Sequence, residues 1–263
     1  QKPSKILVYK LLIFFFMRNF NRKHDQLRNV AVEILEDSFA EGSCIISFGR
    51  TKVMCNATVE TSIPKWLDPK KSGWITAEYS MLPGATEKRT SREISVGKKS
   101  ARSTEIQRLI GRSIRSVIDL RKIPGLQIIL DCDVLLADGG TRTTSINGSF
   151  IALSIAVRKL IKQKIILTSP VKSQIAAISC GVVNNNTLLD LDYSEDSEAE
   201  VDANFVLDSN LSGNNVNLYP VGLGTFSSSF FCFSTALPSH TCFGTISLFI
   251  VKLRFLKQVR EFL

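Results

Sequence analysis

The most constraining feature of this chain is a strand-like run that passes through two glycines directly into a helical pattern. Apolar side chains alternate over residues 128–136, which predicts a half-buried strand. Glycines occupy positions 139 and 140, and apolar residues then recur at helical spacing over 146–160. A strand followed this closely by a helix predicts a mixed α/β domain.

The same junction has the composition of an anion-binding site. Gly139 and Gly140 allow the backbone to approach a ligand closely, and the start of a helix offers unpaired N–H groups. Arg142 adds a bidentate donor for phosphate. The segment is neither a Walker A loop nor a G-x-G-x-x-G loop. A tight turn and a helix capped by one of residues 143–145 explains it equally well.

The remaining pattern supports an α/β class of the α+β type. Short turns separate the first three predicted strands, which indicates an antiparallel meander and argues against a doubly wound parallel sheet. Ile123-Pro124-Gly125 ends the first predicted helix. The predicted strands are 30–34, 44–48, 51–59, 128–136, 175–183 and 188–193, and the predicted helices are about 103–118 and 146–162.

Positive charge points to a polyanionic partner. The net charge is +9, and within residues 81–102 six basic side chains are offset by only two acids. This segment predicts a polyanion-binding loop, with a solvated surface segment as the alternative. On the following helix, Arg108, Arg112 and Arg115 lie largely off the apolar stripe. The six basic side chains of the segment 81–102 are Lys88, Arg89, Arg92, Lys98, Lys99 and Arg102.

Carboxylates cluster after the last predicted strand. Seven acidic residues fall within residues 190–202. Clusters of oxygen ligands suit Mg²⁺ or Mn²⁺ at sites that handle phosphate. An acidic surface loop is the alternative.

Other residue counts bear on compartment and chemistry. The six cysteines form no C-x-x-C pair, which favours a reduced, cytoplasmic protein over a disulfide or zinc framework. His24 and His240 are the only histidines, which argues against a Ser-His-Asp or Cys-His mechanism. Lysines before the apolar run 11–16 resemble a signal peptide, but the run is short and no small-residue cleavage site follows. We therefore expect residues 1–16 to be an extension outside the fold.

Several long segments closely resemble the bacterial ribonuclease PH family. The resemblance runs almost without gaps from Met17 to about Asn210. It implies an RNase PH-like catalytic domain with mixed sheets and packed helices over residues 17–210. The segments that carry it are 17–28, 73–83, 102–112, 131–143, 190–196 and 202–204.

The resemblance also implies an activity. Family members are phosphorolytic 3′-to-5′ exoribonucleases that trim tRNA 3′ ends, using inorganic phosphate as co-substrate and releasing nucleoside diphosphates. They assemble as homohexamers, trimers of dimers, and act without a membrane. The alternative is a non-catalytic or degraded RNA-binding ring subunit of the same fold.

Individual roles carry over by position. The resemblance implies phosphate binding by one arginine before the junction and by the junction itself. It further implies two acids for catalysis and for a divalent cation, Mg²⁺ or Mn²⁺, and two arginines that guide RNA. These residues are Arg102, Gly140, Thr141 and Arg142 for phosphate, Asp196 and Asp202 for the metal and catalysis, and Arg89 and Arg92 for RNA.

The resemblance ends in an atypical tail. Residues 211–263 contain one acid and eight of the sixteen phenylalanines, a shift in composition that predicts a change of reading frame or a degraded terminus. Residues 211–251 carry no Lys, Arg, Asp or Glu, so a membrane segment is the alternative. The Ser, Thr and Gly residues and Pro238 argue against a spanning helix. We expect assembly and activity to depend on whether this tail permits folding.

Overall fold

The computed structural model describes residues 18–97 and 99–209. The extension 1–16, the tail 211–263 and Lys98 of the basic segment lie outside the described residues. The helices and strands are β1 Val30–Ile34, β2 Gly42–Phe48, β3 Thr51–Glu60, β4 Trp74–Met81, α1 Glu93–Val96, α2 Ala101–Ser116, β5 Gln127–Leu136, α3 Thr141–Lys162, β6 Ile175–Val183, β7 Asn186–Leu189, α4 Tyr193–Glu198 and β8 Val201–Asp208.

Two sheets form the framework. The larger has the order β1-β2-β3-β5-β4. Strands β1, β2, β3 and β5 pair antiparallel in that order, whereas β4 pairs parallel with β5. The predicted meander and the mixed sheet are therefore confirmed. The smaller sheet is antiparallel, with β6 between β7 and β8.

Helix α3 fills the space between the two sheets. It packs against β2 and β3 on one side and against β6 on the other. Sixteen of its residues are buried, which is why its residues are apolar or small on nearly every side. The Asn147 side chain donates to the Ala177 carbonyl and accepts from the Ala177 N–H, both at 2.8 Å, and so fixes the helix to β6.

Helix α2 covers the β4 side of the larger sheet. Its Ile106, Ile110 and Ile114 side chains are fully buried, while the opposite face is polar. Ser100 caps the helix by accepting a hydrogen bond from the Ser103 N–H at 3.0 Å. The helix therefore begins two residues before the predicted start, and Arg102 lies in its first turn.

The expected strand 188–193 is wrong at its carboxyl end. Strand β7 ends at Leu189, because Asp190 has a φ of 55°, a left-handed conformation that cannot continue a strand. Asp192 then starts helix α4 through a capping box with Glu195. Strands β4 and β8 were not among the predicted elements. Among the described residues, no helix combines the length and apolar character needed to cross a membrane.

Candidate active site

The glycine turn after β5 is held against the segment that joins β7 to α4. Gly139 and Gly140 have φ values of 74° and 66°, in the left-handed region that favours glycine. A Cβ atom at Gly139 would lie 2.6 Å from the Leu191 carbonyl oxygen and 2.6 Å from the Asp192 carbonyl carbon. Only glycine permits this approach, so the turn brings the end of β5 and the start of α3 against the segment that joins β7 to α4.

The turn leaves the start of α3 available to an anion. The N-cap residue is Gly140, which has no side chain to accept from the first-turn N–H groups. The hydroxyls of Thr143 and Thr144 instead donate to the Gly140 carbonyl, at 2.9 and 2.8 Å. Residues 143–145 therefore lie within the helix and do not cap it, in contrast to the alternative interpretation of the sequence.

Two helices each contribute one arginine to this end of the fold. Arg102 is exposed in the first turn of α2, and the Arg142 side chain is 14% exposed in the first turn of α3. Arg142 Nη2 lies 3.9 Å from Glu105 Oε2. The charges of both arginines act on Tyr79 and on Asp196, so the packing of α2 against α3 brings the two arginines to one region.

Tyr79 connects β4 to the same place. Its hydroxyl donates to Thr141 Oγ1 at 3.0 Å. Burial raises the pKa of Tyr79, and the Thr141 bond and the charges of Arg102 and Arg142 partly offset the rise. The phenol is therefore within electrostatic reach of both arginines, and it fixes the side chain of the first residue of α3.

Two carboxylates complete the group. Asp196 lies on α4 and Asp202 on β8. Desolvation raises the pKa of Asp196, the charge of Asp202 raises it further, and Arg102 and Arg142 oppose the rise. Asp196 is exposed to solvent, yet the protein atoms around its carboxyl group desolvate it. The site therefore combines two neighbouring acids with two arginines and an uncapped helix start.

The two acids suit a shared cation. Mg²⁺ is commonly held by one or two carboxylates, with water and substrate phosphate completing its coordination. Within residues 18–97 and 99–209, no group of three or more His, Cys, Asp or Glu is arranged to hold a metal ion. Asp196 and Asp202 therefore fit an ion bound jointly with phosphate, and do not fit a site made of protein ligands alone.

A buried arginine supports the glycine turn from below. Arg28 binds Asp190 through two bonds, from Nη2 to Oδ1 at 2.7 Å and from Nε to Oδ2 at 3.0 Å. Its Nη1 also donates to the Asp138 carbonyl. Thr51 Oγ1 donates to the Gly139 carbonyl at 2.7 Å and accepts from the Asp138 N–H at 3.0 Å. The shape of the turn is thus fixed by groups from three distant parts of the chain.

Two further arginines bind the acidic cluster. Arg18 makes a bidentate pair with Glu195, at 2.6 and 2.8 Å. Arg22 Nη2 lies 3.1 Å from Glu195 Oε2 and 3.2 Å from Asp192 Oδ2. Both arginines are 7% exposed. The seven acids therefore do not act as one group: three are buried ion-pair partners, Glu198 and Glu200 are exposed, and Asp196 and Asp202 lie beside the candidate site.

The predicted RNA-guiding arginines lie outside this group. Arg89 and Arg92 are exposed on the loop that precedes α1. The following Glu93 accepts a hydrogen bond from the Ser103 hydroxyl, which lowers its pKa and anchors the loop beside the start of α2. In the part of the chain that the structure describes, neither arginine forms a hydrogen bond or ion pair with the site residues.

Comparisons with known proteins show which family the sequence resembles. Residues 26–159 match the sequence profile of domain 1 of the 3′ exoribonuclease family RNase PH, and residues 173–219 match domain 2. The chain is 53% identical over 191 residues to ribonuclease PH of Caulobacter vibrioides, covering 73% of this chain and 80% of that protein.

Solved structures show the same fold at low sequence identity. Rice (Oryza sativa) Rrp46 superposes with a TM-score of 0.68 at 19% identity, covering 92% of this chain and 98% of that one. The Archaeoglobus fulgidus exosome with RNA bound to the active site superposes with a TM-score of 0.68 at 22% identity, covering 86% and 92%.

Proposed function

The chain belongs to the RNase PH family of 3′ exoribonucleases, and we propose that it shortens RNA from the 3′ end by phosphorolysis, with tRNA precursors as substrates. The observation that carries this proposal is the convergence of Arg102, Arg142 and an uncapped helix start beside two carboxylates. Such a site can bring an anionic nucleophile close to a polyanion.

Inorganic phosphate is the proposed nucleophile. The N–H groups in the first turn of α3 donate to its oxygens, and the helix dipole favours its charge. Arg102 and Arg142 add charge-assisted donors from two directions. Because Tyr79 holds Thr141, the first residue of the helix is fixed before phosphate binds. Positioning and electrostatic stabilisation together account for nearly all of the rate enhancement in phosphoryl transfer.

Water takes no part in the proposed reaction. An oxygen of hydrogen phosphate attacks the phosphorus of the last phosphodiester bond, and the bond from that phosphorus to the 3′ oxygen breaks. The electron pair of this bond stays on the 3′ oxygen, which takes the proton of the hydrogen phosphate. The products are a shortened RNA with a free 3′ hydroxyl and one nucleoside 5′-diphosphate.

Asp196 and Asp202 are the proposed ligands of Mg²⁺ or Mn²⁺. When bound, the ion offsets negative charge on the reacting phosphates. Without it, the two carboxylates repel the substrate, and the positive charges of Arg102, Arg142 and Arg28 oppose this repulsion. The site therefore requires positive charge from the arginines to offset the negative charge of the two carboxylates.

The wider organisation follows the family. We infer a homohexamer, a trimer of dimers, in the cytoplasm, with Arg89 and Arg92 guiding RNA into the site. The domain 2 match reaches residue 219, beyond the limit of about 210 that the sequence predicted. We therefore propose that residues 1–16 and the tail after residue 219 are not part of the RNase PH-like domain. The exposed position of Arg89 and Arg92 beside the start of α2 supports their role.

The test is release of nucleoside diphosphates from a tRNA precursor by the full chain, measured with and without inorganic phosphate. We expect release only when phosphate is present. Equal release without phosphate would contradict phosphorolysis. A non-catalytic RNA-binding subunit would bind the precursor and release nothing under either condition. DNA sequence around codon 210, translated in all frames, tests the proposed origin of the tail.

A further inference from the structure

The exposed face of α2 carries a line of arginines that phosphorolysis does not use. Arg108, Arg112 and Arg115 follow one another at spacings of four and three residues, so they share one side of the helix. Arg108 and Arg112 are exposed, and among the described residues neither has an ion-pair partner. Like charges at this spacing destabilise a helix, so a neutralising ligand would offset a real cost.

The line ends at two tryptophans. The Arg115 guanidinium lies over the Trp74 ring at 4.5 Å and donates to the Ile75 carbonyl at 2.8 Å. Burial lowers the pKa of Arg115, and the charge of Arg112 lowers it further, so the two guanidinium groups are close. Trp66 meets Trp74 edge to face, with ring centroids 4.8 Å apart, and remains 67% exposed. An aromatic ring held in place at a cationic surface is a platform on which a nucleobase can stack.

Helix α2 connects this surface to the proposed active site. Arg102 lies in the first turn of the same helix, and Arg115 is in its last turn. At about 1.5 Å per residue, the axis between them is about 20 Å long. That length matches about six stacked nucleotides at about 3.4 Å each. A strand whose 3′ end is in the site can therefore reach the tryptophans.

Charge selects the occupant. A second copy of this chain would have to bring the same cationic face, on a protein of net charge +9, against itself in a two-fold contact. A single-stranded RNA supplies both the phosphates that neutralise arginines and the bases that stack on tryptophan. The nearby loop 61–73 adds exposed Lys65 and Lys70.

We propose that the α2 track, formed by Arg108, Arg112, Arg115, Trp66 and Trp74, binds the single-stranded RNA upstream of the 3′ end being processed. This inference rests on the proposed function, because it places the RNA 3′ end beside Arg102. It adds a second contact region that increases affinity for RNA chains long enough to span it.

The test measures binding of fluorescein-labelled oligoadenylates of about 3 and about 12 nucleotides to the full chain, by anisotropy in phosphate-free buffer. We expect Trp66→Ala to weaken binding of the longer RNA by about 5- to 150-fold, and that of the shorter RNA far less. Trp66→Phe keeps a stacking ring and should retain most of the affinity.

The arginines are tested through salt dependence. The double variant Arg108→Gln/Arg112→Gln removes two phosphate contacts, so the slope of log affinity against log salt should fall by about 1.4 for the longer RNA. The control Arg158→Gln/Lys162→Gln removes the same charge from exposed positions near the end of α3 and should leave the slope unchanged.

Several results would overturn the proposal. They are unchanged affinity in Trp66→Ala, equal losses for the two RNA lengths, or an equal change of slope in the control. A change of oligomeric mass by light scattering with unchanged RNA affinity would show that this face is a contact between copies. Phosphate-independent release would refute the proposed function alone, since the anisotropy assay contains no phosphate and decides the α2 track separately.

Discussion

Replacing Arg28 with alanine is the sharpest test of how the glycine turn is held. The side chain binds Asp190 through two bonds, and the Asp190 side chain is only 1% exposed. Removing one member of a buried ion pair leaves an uncompensated charge, which costs about 3–5 kcal/mol. Arg22 Nη1, at 3.9 Å from Asp190 Oδ2, compensates only part of that charge. We expect the lower half of the range.

The size of this loss makes it measurable. A domain is stable by about 5–15 kcal/mol, so Arg28→Ala should remove a substantial fraction of the free energy of unfolding. At about 2–4 °C per kcal/mol for a domain of this size, a loss of about 3–4 kcal/mol should lower the midpoint of thermal unfolding by about 6–16 °C. Urea unfolding of the full chain, followed by circular dichroism, measures the same loss.

A double-variant cycle separates the ion pair from simple packing. Arg28→Met/Asp190→Leu replaces both charges with apolar side chains, which is often neutral for a buried pair. The Arg28 N–H then lacks its bond to Asp190 Oδ2, now 2.7 Å long, and this costs about 1–3 kcal/mol. We expect the double variant to be more stable than the sum of the single losses predicts. Additive losses, or a loss below about 1 kcal/mol for Arg28→Ala, would refute this reasoning.

Three further predictions address the site and its supports. Gly140→Ala forces a left-handed alanine and places Cβ 2.9 Å from Arg28 Nη2, so it should cost about 1–2 kcal/mol in urea unfolding. Arg142→Ala removes a charge-assisted donor and should lower kcat/KM for phosphate by about 10- to 150-fold; unchanged phosphate-dependent trimming of RNA would count against the assigned site. Burial raises the pKa of Asp192, but hydrogen bonds to its carboxylate lower it by more, so this pKa lies below its usual value. The ionised carboxylate therefore stabilises the folded state above about pH 4, and this stabilisation is lost as the pH falls through the folded-state pKa. Asp192→Asn should therefore flatten the acid decline of the unfolding free energy, and an unchanged decline would exclude this carboxylate as its source.

Local pattern predicted much of the architecture. Runs of strand-forming residues located β1, β2, β3, β5 and β6, and alternation is clearest in β3 and β5, where buried residues alternate with more exposed ones. Helix α3 begins five residues before its apolar pattern does, since its first five residues, apart from Arg142, are small and hydroxyl-bearing. Strand β4 also follows the alternating rule, with Ile75, Ala77 and Tyr79 inward, but it lies between segments dominated by charge.

From the residue pattern alone, the candidate site could be predicted only where its residues are close in the chain. The junction at 138–142 is visible because strand, glycines and arginine are contiguous. Asp196 and Asp202 could be named by resemblance, but composition alone could not separate them from the three acids that bind arginines. Those arginines lie 162–177 residues away from their partners, a separation that no local pattern reveals. Tyr79 was missed for the same reason.

The same separation has a consequence for the order of folding. Arg18, Arg22 and Arg28 are made first, and Asp190, Asp192 and Glu195 are made near the end of the described chain. During synthesis the three arginines stay solvated until the second sheet has been made, because the entropy lost on closing so long a loop is offset only when their acidic partners are present. The Arg28–Asp190 pair that supports the glycine turn therefore forms last, so the chain cannot bind phosphate productively while it is still only partly made.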